Sequence, residues 1–174
     1  MIEIIGQAID DEYIKELTTI SLSPEAISRH KDMKIVYTPI HGTGVKLVPA
    51  ALKAYGFTNI IHVPEQDVVS GDFPTVISPN PEEPAALAMA VEKAKETDAE
   101  LVMASDPDAD RVGAAVKNNE GEWVLLNGNQ TALMFVYYLI TRWKELGKIN
   151  GKEYIVKTIV TTETIKTIAE RNGV

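Results

Sequence analysis

The sequence predicts an α/β layered fold, a sheet with helices on both faces, followed by an incomplete α/β unit. Apolar strand-like runs alternate with stretches of helical periodicity along most of the chain, which is the pattern of a layered sheet. Gly, Pro and Asn punctuate the junctions, where turns and caps need them. After residue 126 only one strand run and two helical runs remain, too few to close a second core.

The elements follow in order. Tyr13, Ile14, Leu17 and Ile20 share one helical face. Ser23-Pro24 has the form of an N-cap followed by proline at the first helical position. Lys34 to Ile40 (KIVYTPI) is a buried-strand run entering His41-Gly42-Thr43-Gly44. A helix follows with Val45, Val48, Leu52 and Tyr55 on one face and Gly56 at its end. Asn59 to Val63 is the next strand, and a long polar loop comes after it. Asn80, Pro81 and Glu83 are spaced as N-cap, first-turn proline and capping-box acid for a helix bearing Leu87, Val91 and Ala94. Residues 101–105 and 112–117 are strands around an acidic loop, and Trp123 to Leu126 is a short strand after the turn Asn118-Asn119-Glu120-Gly121. Asn127 to Gln130 open a helix that turns Leu133, Val136, Tyr137 and Ile140 inward. Lys152 to Val160 reads as a strand, and Thr162 to Arg171 as a helix ended by Gly173. The expected organisation is a domain of residues 1–125 and a partial unit of residues 126–174.

The most informative segment is Asp106-Pro107-Asp108-Ala109-Asp110-Arg111, directly after the apolar run Leu101 to Ser105. Carboxylates at i, i+2 and i+4 share a side only where the chain is extended. Pro107 disfavours the α region for Asp106 and lacks a backbone donor, so a loop is expected. Three converging carboxylates repel one another unless a cation lies between them. An oxygen-only donor set suits a hard ion, magnesium or calcium, better than zinc or copper. Asp106, Asp108 and Asp110 are therefore candidate metal ligands, with a structural turn as the alternative. An EF-hand is excluded, because its glycine and glutamate positions hold Arg111 and Lys117. A haloacid-dehalogenase-type loop fits if counted from Asp108, which places Val112 at that family's Thr/Val position.

Composition bounds the rest. The 174 residues are 45% apolar and 24% charged, ordinary for a globular domain. A net charge of -8 argues against nucleic acid as partner. With no cysteine, disulfides, thiolate catalysis and cysteine-based zinc sites are excluded. The apolar stretch Ala132 to Ile140 is too short to cross a membrane, and no signal peptide is visible. A cytoplasmic protein is the expectation.

Several segments together resemble the α-D-phosphohexomutases, the bacterial phosphoglucomutase and phosphomannomutase type also related to phosphopentomutases. They are Tyr37-Thr38-Pro39-Ile40-His41-Gly42-Thr43-Gly44, Phe73, Pro79-Asn80-Pro81-Glu82 and Ser105 to Arg111. The resemblance implies a four-domain parent enzyme, of which residues 1–125 match the metal-binding second domain and the remainder the start of the third. It implies that Asp106, Asp108 and Asp110 hold one Mg²⁺ whose fourth ligand is a phosphoserine oxygen, and that Arg111 lies near that phosphate. A salt bridge from Arg111 to one of the same aspartates is the other expectation for it. It further implies hexose 1-phosphate and 6-phosphate interconversion through a bisphosphate intermediate, with hexose bisphosphate as activator of the parent. The family's catalytic serine motif and Glu-x-Ser-Gly-His sugar motif are absent from this sequence. Ser78-Pro79-Asn80-Pro81 looks similar to the serine motif, but Pro79 replaces its histidine, so Ser78 is read as a turn residue. No catalytic residue is assigned in this chain, which is expected to be inactive alone.

The remaining features are read as structural. His41-Gly42-Thr43-Gly44 lacks the third glycine of a dinucleotide loop, where Leu47 stands, and the Lys-Ser/Thr pair of a P-loop. It is expected to be a tight strand-to-helix turn, with His41 a structural histidine. His30 and His62 have no ligand spacing to other candidate groups. An apolar helix in an incomplete unit is expected to promote self-association through residues 128–174. Two alternatives to the mutase reading stay open: a non-catalytic metal-binding or regulatory module, and a haloacid-dehalogenase-like phosphatase.

Overall fold

The structure, a computed structural model, describes residues 5–174. Its elements are α1 (Gly6–Thr19), α2 (Pro24–Arg29), β1 (Lys34–Thr38), α3 (Gly44–Tyr55), β2 (Asn59–His62), α4 (Pro84–Thr97), β3 (Leu101–Ser105), β4 (Val112–Lys117), β5 (Trp123–Leu126), α5 (Gly128–Glu145) and α6 (Thr164–Arg171). The chain divides into two compact units between Leu125 and Leu126.

In the first unit the sheet order is β2-β1-β3-β4-β5. β1 runs parallel to both β2 and β3, while β3 and β4 are antiparallel. The chain leaves β1 toward β2 through α3 and returns past β1 to β3 through α4. Right-handed crossovers in opposite directions put these helices on opposite faces, so β1 is covered on both sides. Ile35, Val36, Tyr37 and Thr38 are all buried, as expected of a central parallel strand. On one face Val36, Val102 and Ala104 pack with Leu87, Ala90 and Ala94 of α4. On the other, the Tyr37 hydroxyl hydrogen-bonds Ser105 Oγ at 2.8 Å. A Cβ on Gly44, the first residue of α3, would overlap that Tyr37 hydroxyl.

Some local expectations need correction. Ile14 and Leu17 of α1 are half-buried, but Tyr13 and Ile20 are exposed. α1 packs on α3, and a single partner helix covers only a narrow stripe. β1 stops at Thr38, because Pro39 offers no ladder donor and Ile40 and His41 adopt left-handed φ values of 46° and 63°. The cap of α4 is shifted: Pro84 takes the first turn and Glu83 is the N-cap. Asn80 instead closes a separate turn, its Oδ1 accepting from the Glu82 N–H at 3.0 Å. Pro81 is buried in that turn, where a Cβ on Gly113 of β4 would overlap its carbonyl group.

In the second unit the Asn127–Gln130 capping box forms as expected. α5 turns Leu133, Val136 and Ile140 inward, but Tyr137 is 59% exposed. α6 packs against α5, with Ile165 and Ala169 buried. The expected strand at 152–160 is not formed. Burial still alternates there, Glu153, Ile155 and Lys157 being half-covered and Tyr154 and Val156 exposed. The pattern is that of a strand, but no other strand of this unit is available to pair with it among the described residues.

Two outcomes are expected. Gly113→Ala should lower stability in urea by about 2 kcal/mol, since the new methyl meets backbone at Pro81 and cannot be accommodated by a rotamer change. Burial pushes the Tyr37 hydroxyl above its ordinary pKa, partly offset by its hydrogen bond with Ser105 and helped least by the charge of Asp67. A raised folded pKa gives stability that is present below the unfolded value and lost as pH rises. Thermal stability should therefore fall above about pH 10, and Tyr37→Phe should flatten that alkaline fall.

Candidate metal centre

β1 and β3 are parallel neighbours whose outgoing connections diverge, and loops at the carboxyl ends of such strands form the ligand crevice of open α/β sheets. The turn after β1 and the acidic loop after β3 occupy this place. Asp106 is 1% exposed, whereas Asp108, Asp110 and Arg111 are exposed. Asp106 Oδ1 accepts from the backbone N–H groups of Asp110 and Arg111, both at 3.1 Å. Its Oδ2 accepts from Arg111 Nε at 2.7 Å. The Asp106 carbonyl accepts from the Ala109 N–H at 3.0 Å. These bonds hold Ala109 in the left-handed region, at φ 62°, and bring the three aspartates together.

One ligand oxygen from each of Asp106, Asp108 and Asp110 lies within 4.8 Å of the others, the one such cluster among the described residues. The charges of Asp108 and Asp106 raise the Asp110 carboxyl above its ordinary pKa. Burial pushes Asp106 up, but hydrogen bonds from the Arg111 side chain and backbone outweigh it and leave that carboxyl lowered. The donor set is thus hard, anionic and short of positive charge, which fits a divalent oxygen-seeking cation.

The neighbouring turns brace this loop. The Pro107 carbonyl accepts from Thr43 N–H at 2.9 Å and from Thr43 Oγ1 at 3.1 Å. His41 is buried, its Nδ1 at 2.8 Å from the Val68 carbonyl and its Nε2 at 2.8 Å from Thr75 Oγ1. These contacts bear out its reading as a structural histidine. His30 is exposed, and His62 Nδ1 pairs with Asp67 Oδ2 at 2.9 Å. Ser78 lies in a bend and donates to Glu83 Oε1 at 3.0 Å. Arg111 makes the expected salt bridge to Asp106. Sequence reading missed the hold of Thr43 and Gly42 on Pro107. Its only signal was a Gly-rich turn at the end of a strand that becomes the acidic strand's neighbour.

Residues 11–121 match the family model described as phosphoglucomutase/phosphomannomutase, alpha/beta/alpha domain II. The chain belongs to the phosphoglucomutase/phosphomannomutase family. It is 33% identical to human phosphopentomutase over 170 residues, 95% of this chain and 28% of that protein. Phosphoglucomutase of Staphylococcus haemolyticus is 32% identical over 171 residues, 98% of this chain and 30% of that protein. A phosphoglucomutase/phosphomannomutase family protein from Burkholderia thailandensis has the same fold, with TM-score 0.60 at 24% identity, covering 77% of this chain and 26% of that one. The chain therefore spans under a third of the length of each of these three proteins.

The aspartates of this family member should separate in a stability measurement. Asp106→Ala removes a buried acceptor of three hydrogen bonds and should cost about 2 kcal/mol in urea unfolding. Asp108→Ala and Asp110→Ala relieve repulsion and should leave stability unchanged or raise it. A loss at Asp110 as large as that at Asp106 would contradict this division.

Proposed function

We propose that this chain supplies the metal centre of a phosphohexomutase that interconverts hexose 1-phosphate and 6-phosphate through a phosphoserine and a bisphosphate. The observation that carries the reading is the cluster Asp106, Asp108 and Asp110 at the carboxyl end of β3, inside the segment that matches the family's second domain. On this reading residues 1–125 are that domain and residues 126–174 begin the third. The sugar phosphate is bound by the further domains, and hexose bisphosphate serves as activator. Relatives named for pentose and glucose leave the choice of sugar to those domains.

The three carboxylates would hold one Mg²⁺, which when bound supplies positive charge to phosphate oxygens and Lewis acidity. Phosphoryl transfer asks a protein for positioning and charge neutralisation above all. Asp106 is fixed by its own loop, so it would orient the centre, while Asp108 and Asp110 face outward. Arg111 binds Asp106 through Nε, and its side chain is 56% exposed. That placement lets its guanidinium face both the carboxylate cluster and an incoming phosphate.

A magnesium titration followed by backbone amide NMR is the test. Saturable shifts centred on residues 105–112, lost in Asp108→Asn, are expected. No localised shift up to millimolar magnesium, with and without inorganic phosphate, would contradict the metal reading. Alone the chain should show no mutase activity, and hydrolysis of a generic phosphate ester would instead favour the phosphatase alternative.

We also propose self-association through residues 128–174. Phe135, Tyr137 and Leu139 of α5 are exposed, as are Tyr154, Val156, Ile159 and Val160. Light scattering should show mass rising with concentration, and a constant monomer mass would remove this proposal.

A further inference from the structure

The acidic loop is gripped from outside by the turn that follows β1. Gly42 is buried, and a Cβ there would overlap the Pro107 Cα and stand 2.7 Å from its carbonyl oxygen. The next residue, Thr43, gives that same oxygen both of its donors, N–H at 2.9 Å and Oγ1 at 3.1 Å. Pro107 is the link between Asp106 and Asp108, so the turn acts on the peptide that sets the angle between two of the clustered carboxylates.

The turn itself is held in a costly conformation. Ile40 and His41 are consecutive non-glycine residues with positive φ, each worth about 1 kcal/mol or more of strain. Strain of this kind persists only where surrounding bonds over-determine it. Here the His41 N–H donates to the Gln66 carbonyl at 2.9 Å, and its own carbonyl accepts from Ser70 N–H at 3.1 Å. Both ring nitrogens are also engaged, with the Val68 carbonyl and Thr75 Oγ1. Gln66 continues the network, accepting from Thr38 Oγ1 at 2.7 Å and donating to Thr75 Oγ1 at 3.2 Å. The result is a braced post reaching from loop 63–76, anchored there by the buried Gln66, to Pro107. A turn needed only to join β1 to α3 has no reason to direct both donors of one residue at another loop.

We propose that Gly42 and Thr43 are positioning residues for the aspartate cluster, acting through the Pro107 carbonyl to preset its geometry for the cation. This rests on the metal reading above. Supporting groups of this kind tune metal affinity without touching the ion. Because Thr43 is exposed and keeps its N–H when the side chain changes, the hydroxyl alone should be worth about fivefold.

The variants are Thr43→Val, Thr43→Ser and Gly42→Ala. Two quantities are read in each: the magnesium dissociation constant from amide shifts of residues 105–112, and hydrogen exchange of the Ala109, Asp110 and Arg111 amides without metal. Thr43→Val should weaken magnesium about fivefold and speed exchange at those amides, with exchange in β1 and β3 unchanged. Thr43→Ser should restore both. Gly42→Ala should have the larger effect; if it does not fold, the Thr43 pair still decides. Wild-type magnesium affinity and unchanged loop exchange in Thr43→Val would overturn the proposal and leave the metal reading intact. Failure of the wild-type chain to bind magnesium, with Thr43→Val still loosening the loop, would overturn the preset cation geometry together with the metal reading. Loss of loop protection in Thr43→Ser equal to that in Thr43→Val would also overturn it, since the hydroxyl would then not be the agent.

Discussion

A carboxylate taken out of water must find donors or a counter-charge, or it will not remain ionised. Asp106 meets this demand with three donors from residues 110 and 111, which lie only four and five positions further on. Satisfying the buried charge therefore bends the chain back on itself. The bend forces Ala109 into the left-handed region and brings Asp108 and Asp110 beside Asp106. Were Asp106 exposed, water would serve it equally well and the loop would have no reason to close.

The same bend creates an electrostatic problem. Arg111 answers the charge of Asp106 but does little for Asp110, whose carboxyl is raised by its two neighbours. A loop in which one carboxylate is satisfied and two more are crowded against it is poised to accept a cation. Its position adds to this, since the carboxyl ends of β1 and β3 lie where the chain's crossovers diverge. Two close approaches lock that position. Gly42 lies against Pro107 and Gly113 of β4 against Pro81, so the turn after β1 meets the acidic loop, and the turn at Pro81 meets β4, without room for a methyl group. The family match gives this arrangement its context, the alpha/beta/alpha domain II of phosphoglucomutases and phosphomannomutases.

Much of this was legible beforehand because the relevant signals are local. The alternation of elements, the strands flanking the loop, the Asn127–Gln130 box and the three aspartates each depend on residues close together in the chain. The same holds for the expectation that Arg111 would bridge to its own loop, because five residues and one sharp turn suffice to bring them together. Where local pattern was read as tertiary fact, it failed. Residues 152–160 carry the composition of a strand, but a strand is a relation between two segments, and the second unit forms no other among the described residues. Tyr137 has the right spacing to face inward, but the covering surface of α6 does not reach it. Pro81 and Glu83 match a capping template, yet Pro84 fits the first turn and Pro81 is needed against Gly113.

The sequence by itself determined which side chains could hold a cation, since i, i+2, i+4 spacing and the proline between them are properties of a short segment. It also determined the family, through motifs whose order along the chain is distinctive. Only the tertiary structure decided that Asp106 is buried while its partners are exposed, because burial depends on the sheet closing around β3. It alone decided that His41, Gly42 and Thr43 belong with the acidic loop. Those residues lie more than sixty positions away, and no local propensity records that β1 and β3 are neighbours with their carboxyl ends side by side.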